Sequence, residues 1–102
     1  MTVTPGLRLR SRVCDTEVIV VRAPSSEIVL HCGGTPMATF DEEIATADLA
    51  DGWDTGALLG KRYTATDDED LEVLVTKEGK GTLGDGTNPL VLKEAKPLPS
   101  SD

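Results

Sequence analysis

Three aromatic residues, two cysteines and one histidine are all that this 102-residue chain holds of those types. With only Phe40, Trp53 and Tyr63 as aromatics, the core has to be thin and aliphatic, drawn from Val, Leu, Ile and Ala. Two cysteines cannot build a disulfide framework, and a chain of this size buries roughly 65% of its unfolded surface without needing one. Long apolar runs are missing as well. The longest have four residues, as at 18–21, against roughly 20 for a membrane-spanning helix. The opening MTVTPGLRLR lacks the apolar stretch of a secretory signal. These absences predict a cytoplasmic protein with no membrane partner, whose thiols stay reduced.

Basic residues are scarce beyond position 40. Residues 1–40 carry Arg8, Arg10, Arg12 and Arg22 against Asp15, Glu17 and Glu27, a balance of +1. Residues 41–102 carry six Lys/Arg against fifteen Asp/Glu, a balance of −9, which gives the total of −8. An acidic surface repels phosphate backbones, so nucleic acid is not an expected partner.

What is present reads as short strands. GLRLRSRV alternates apolar and basic residues, TEVIVVRA is dense in β-branched residues, and EIVLHC follows after the break at Pro24-Ser25-Ser26. After Gly60, KRYTAT, LEVLVT, a short TL and PLVLKEA resume the pattern between Gly- and Asp-rich turns. The middle differs: Asp41 with Ile44, Leu49 and Trp53 predicts one short acidic helix ended by Gly52. No internal repeat stands out.

Several motifs resemble chemistry without carrying it. GKGTLG at 79–84 matches the dinucleotide spacing, but Pro89 blocks the helix that would hold a pyrophosphate, so these glycines are expected to serve turns. Asp67, Asp68, Glu69 and Asp70 lack the alternate spacing of a calcium loop and read as a solvated hairpin tip. No nucleophile motif accompanies His31.

The stretch CDTEVIVVRAPSSEIVLHCGGTPM, Cys14 to Met37, holds both cysteines and the histidine. Thiolates are soft ligands for zinc or iron, and glycine after cysteine suits the curled turns of such sites. The order of a cysteine, a Val-rich strand, a hairpin, an aliphatic strand, Cys-Gly-Gly and Pro-Met resembles the desulforedoxin domain, also found at the N-terminus of desulfoferrodoxins, over about residues 8–38. That resemblance implies a small β-structure with one iron on four cysteines, and usually a dimer. Here Ser11 stands where the first cysteine of the knuckle would be, and Gly33 where the fourth would be. Cys14 and Cys32 remain, with His31 beside them.

Three readings stay open: a site that has lost its metal, a bound zinc or iron, and a redox dithiol or disulfide. A metal would be held by Cys14 and Cys32 shared across a homodimer, or by Cys14, Cys32 and His31 in one chain. In a regular hairpin centred near Ser25, Cys14 would face Pro36, a stagger of roughly 13 Å from Cys32. Only curled knuckles would bring the sulfurs together. The expected fold class is all-β, with mostly antiparallel short strands. It comprises a desulforedoxin-like hairpin lobe at 1–40, an acidic connector at 41–60 with at most one short helix, a β-meander at 61–96 and a flexible tail at 97–102, together one compact domain. The expected role is that of an accessory or binding protein for an unidentified protein partner, with no enzymatic activity. A zinc- or iron-binding protein and a small thiol/disulfide or electron-transfer protein are the alternatives.

Overall fold

The computed structural model describes residues 3–42, 48–66, 68–86 and 88–93. These residues form an all-β fold with no helix among them. The strands are β1 (Arg8–Arg10), β2 (Glu17–Arg22), β3 (His31–Cys32), β4 (Thr35–Pro36), β5 (Ala38–Thr39), β6 (Arg62–Thr64), β7 (Glu72–Lys77), β8 (Leu83–Gly84) and β9 (Val91–Leu92). One antiparallel sheet has the order β5-β1-β2-β7-β6-β9, and a second has the order β4-β3-β8.

The large sheet reads the same from either edge. β1 pairs with β2 and β5, and in the same way β6 pairs with β7 and β9. In the first half Leu9 lies opposite Val18 and Thr39; in the second Tyr63 lies opposite Val73 and Leu92. At the centre, Val18 faces Val75, Ile19 faces Leu74 and Val20 faces Val73. With Val18, Ile19 and Val20 equivalent to Val73, Leu74 and Val75, this register is that of a two-fold seam, in which residue i meets j and j meets i.

Loops repeat the correspondence. Val20 N–H donates to Leu7 O and receives Gly6 N–H on its own carbonyl; Val75 does the same with Lys61 and Gly60. Gly6 and Gly60 both hold positive φ, 86° and 77°, at this turn, where L side chains are strained. The His31–Pro36 pair and the Met37 N–H to Leu30 O bond of the first half recur as the Gly84–Pro89 bridge and the Leu90 N–H to Leu83 O bond. The chain is therefore a duplicated half-plan.

The alternation in β2 and β7 explains the core. Val18, Val20, Val73 and Val75 are buried, while Ile19 and Leu74 lie half-exposed on the other face. Val3, Leu9, Leu30, Met37, Ala57, Ala65, Leu71, Leu83, Leu90, Tyr63 and Cys32 complete the cluster, in which Tyr63 is the one aromatic. Glu72 is buried at the sheet surface but held by Lys93 at 2.8 Å and Arg62 at 3.4 Å.

Four expectations change. β2 and residues 27–32 do not form a hairpin, because both edges of β2 are taken by β1 and β7; after Arg22 the chain crosses to the small sheet, where only His31 and Cys32 join a ladder. The C-terminal strands are not a simple meander, since β8 leaves for the small sheet and β9 returns to β6. The internal repeat, not apparent in the sequence, is present in the pairing. The acidic helix falls partly on residues 43–47, outside the described residues; residues 48–60 run without helix, and a turn follows Ala50, where Gly52 has φ 82°. That segment is tied to both halves: Ala50 N–H donates to Gly33 O, Ala57 N–H to Gly79 O, and Thr82 N–H to Trp53 O. The tail at 97–102 lies outside the described residues.

Candidate functional site

The turn between β1 and β2 is curled by Ser11. Its Oγ accepts the N–H groups of Val13 at 3.1 Å and Cys14 at 3.2 Å, and its own N–H donates to Thr16 O at 2.9 Å. That curl aims Cys14 inward. Cys32 is delivered from β3, fully buried. The two sulfurs lie 3.8 Å apart, and both thiols are free. The curled turn thus removes the stagger expected of a regular hairpin.

Around Cys14 the chain gathers hydrogen-bond partners, with the thiol donating to Ser11 Oγ. Ser11 Oγ is 3.3 Å and Thr16 Oγ1 3.2 Å from its sulfur, and the Gly81 N–H donates to it at 3.3 Å. Burial alone would raise this thiol, but the hydroxyls of Ser11 and Thr16 and the N–H groups of Thr16 and Gly81 outweigh it, bringing Cys14 from 9.0 to about 7. For Cys32, burial dominates and the charge of neighbouring Cys14 adds to it, pushing the thiol up to about 11. Two adjacent thiols thus differ in kind: one half-exposed and easily ionised, the other buried and protonated.

The cap over the pair comes from the second half of the chain. A side chain at Gly81 would place its Cβ 2.8 Å from Cys32 Sγ and 3.2 Å from Cys14 Sγ, and one at Gly79 would strike Thr16 and Cys14. These glycines are needed because backbone closes directly over sulfur. Thr16 and the 79–81 turn were missed in the sequence as site residues. The signal was the Gly-Lys-Gly spacing, read there only as turn chemistry.

His31 does not join the sulfurs. Its Nδ1 is 2.7 Å from Val29 O, and its ring lies against Gly86. Neighbours on a strand face opposite ways, so burying Cys32 turns His31 outward. Among the described residues no three His, Cys, Asp or Glu side chains gather as a metal group, and no helix is long and apolar enough to cross a membrane.

The opposed shifts predict a distinctive pH profile. Cys14, lowered in the fold, adds stability that grows as pH rises from about 7 to the ordinary 9.0. Cys32, raised in the fold, adds stability that is present below 9.0 and is lost as pH rises through about 11. The pair's contribution should peak near pH 9. Urea midpoints at pH 7, 9 and 11, compared with those of a Cys14→Ser/Cys32→Ser chain lacking that peak, check this.

Compared with known protein families, with curated proteins and with solved structures, the chain matches none.

Proposed function

We propose that the protein is a small dithiol/disulfide exchange protein working through Cys14 and Cys32. The observation that carries this is the contact of an activated, half-exposed thiol with a buried one at 3.8 Å. Forming a disulfide of roughly 2.05 Å brings the two sulfurs together from 3.8 Å. In the reaction the Cys14 thiolate attacks one sulfur of a disulfide, forming a mixed disulfide and releasing a first thiolate. Cys32 then attacks Cys14 Sγ, and its proton passes to the second thiol released. The chain is oxidised by two electrons and the disulfide substrate is reduced by two. A reducing cytoplasm would return the pair to the dithiol.

Zinc or iron is the second reading, favoured by one number. Metal–sulfur bonds of about 2.3 Å in a tetrahedron separate two sulfurs by roughly 3.8 Å, the separation seen here. Against a tight metal site, the groups nearest the sulfurs are hydroxyls and a backbone N–H, which are not the thiolate or imidazole ligands such a site takes.

Incubating the reduced chain with glutathione disulfide decides between them. The dithiol reading expects loss of two mass units and an intramolecular Cys14–Cys32 bond located by peptide mapping, in protein that carries no zinc or iron after gel filtration. Stoichiometric zinc or iron retained through gel filtration, with no oxidation by glutathione disulfide, would replace it with the metal reading.

A further inference from the structure

The duplicated half-plan places a counterpart opposite the thiol site. Leu9 corresponds to Tyr63 by its pairing in the sheet, and five residues beyond each stand Cys14 and Asp68. Val18 corresponds to Val73, and eight residues beyond each stand Ser26 and Gly81. These four residues meet in the same crossed manner. Gly81 N–H, from the second half, donates to Cys14 Sγ at 3.3 Å. Ser26 N–H, from the first half, donates to Asp68 Oδ2 at 2.8 Å, joined by the Ser26 hydroxyl at 2.8 Å and by Asp70 N–H to Oδ1 at 3.3 Å. At the second position the resident group is a buried carboxylate, 7% exposed.

We infer that each half builds one cradle for a single acidic side chain, that the turn of the opposite half supplies the N–H closing it, and that Cys14 occupies the first cradle with Gly81 as the positioning residue. The inference rests on the dithiol reading and deepens it by naming what holds the attacking sulfur. It stands on the paired geometry, and its test needs no exchange activity.

The remaining equivalents fit. Ala65 and Leu71 replace Ser11 and Thr16, so the second cradle lacks the two hydroxyls of the first, and a hydroxyl reaches its carboxylate from Ser26 instead. Asp85 stands at the Cys32 position. The N–H groups of Ser25 and Ser26 and the Ser26 hydroxyl hold the Asp68 carboxyl below its ordinary value, in parallel with the lowering at Cys14. Charged neighbours along the chain are Arg12, Asp15 and Lys80 at the first cradle, and Glu27, Asp67, Glu69 and Asp70 at the second. Asp70 takes the Ser25 hydroxyl.

The test moves a thiol from one cradle to the other. In a Cys14→Ser/Cys32→Ser chain, Asp68→Cys introduces a single sulfur whose thiolate absorbs near 240 nm. Its titration midpoint should fall below the ordinary 9.0; a midpoint at or above that value would overturn the shared-cradle inference. If that variant does not fold, the reverse exchange answers the same question. Cys14→Asp should melt closer to the parent than Cys14→Ala does, because a carboxylate is what the equivalent position already holds. The opposite order would also overturn the inference. Failure of glutathione disulfide to oxidise the chain, with a low midpoint at Asp68→Cys, would remove the exchange reading and leave the cradles standing.

Discussion

Cys32→Ser is expected to accumulate a stable mixed disulfide between Cys14 and glutathione, a mass gain of one glutathionyl group, where the parent passes on to an internal disulfide. Cys14→Ser should yield neither product at a comparable rate. With Cys14 at about 7, half of it is thiolate at neutral pH, against about 1% for a thiol at 9.0. The lower basicity makes that thiolate a weaker nucleophile, so the net gain over an ordinary cysteine is roughly sixfold. Cys32, at about 11, is ionised to only about one part in ten thousand at that pH. Left alone, it loses the part of this rise that Cys14 contributes but keeps the larger part due to burial, so it should still react more slowly than Cys14. Timed alkylation quenching followed by intact-mass measurement reads both variants. Equal rates of adduct formation at the two single-thiol variants would show that the donors around Cys14 do not activate it.

The second large effect concerns the fold. Leu9→Ala should destabilise the chain by about 2–5 kcal/mol. Leu9 is fully buried in β1 and bridges the sheet between Val18 and Thr39. A domain of this size has about 5–15 kcal/mol in total, so the loss is a large part of it. At about 4–8 °C per kcal/mol the melting temperature should fall by at least about 8 °C. Phe40→Ala is the contrast. That ring is 44% exposed, lying beside the Arg10 guanidinium at 5.9 Å, and its removal should cost no more than about 1 kcal/mol. Urea denaturation of both variants checks the ranking.

The all-β class was legible because alternation in EVIV and EVLV reports directly on a two-faced sheet. The pairing was not, since sequence periodicity says which face is buried and nothing about which strand lies alongside. Residues 27–30 carry as strong an apolar signal as β2, yet they join no ladder, because β7 offers β2 a better partner than its own sequence neighbour does. The duplication escaped notice for a related reason. Matching residues lie 54 apart at Gly6 and Gly60, 55 apart at Val18 and Val73, and 53 apart at Pro36 and Pro89, so no single offset aligns the halves. The meeting of Cys14 with Cys32 follows from a curl that Ser11 imposes through two backbone N–H groups, and that could be anticipated from the Ser-x-x-Cys spacing. The closing turn at 79–81 arrives from 67 positions away, beyond the reach of any local pattern.

The seam between β2 and β7 has a consequence for how the molecule comes apart. Two separate chains meeting along such a seam would dissociate as they unfold, and dilution would weaken them. Here both sides belong to one polypeptide, so parting the seam needs no dissociation of chains and dilution does not weaken it. Joining the halves also frees them from identity. A symmetric pair must repeat every residue, whereas this chain keeps sulfur on one side of the seam and a carboxylate on the other, so each molecule carries one oxidisable pair instead of two.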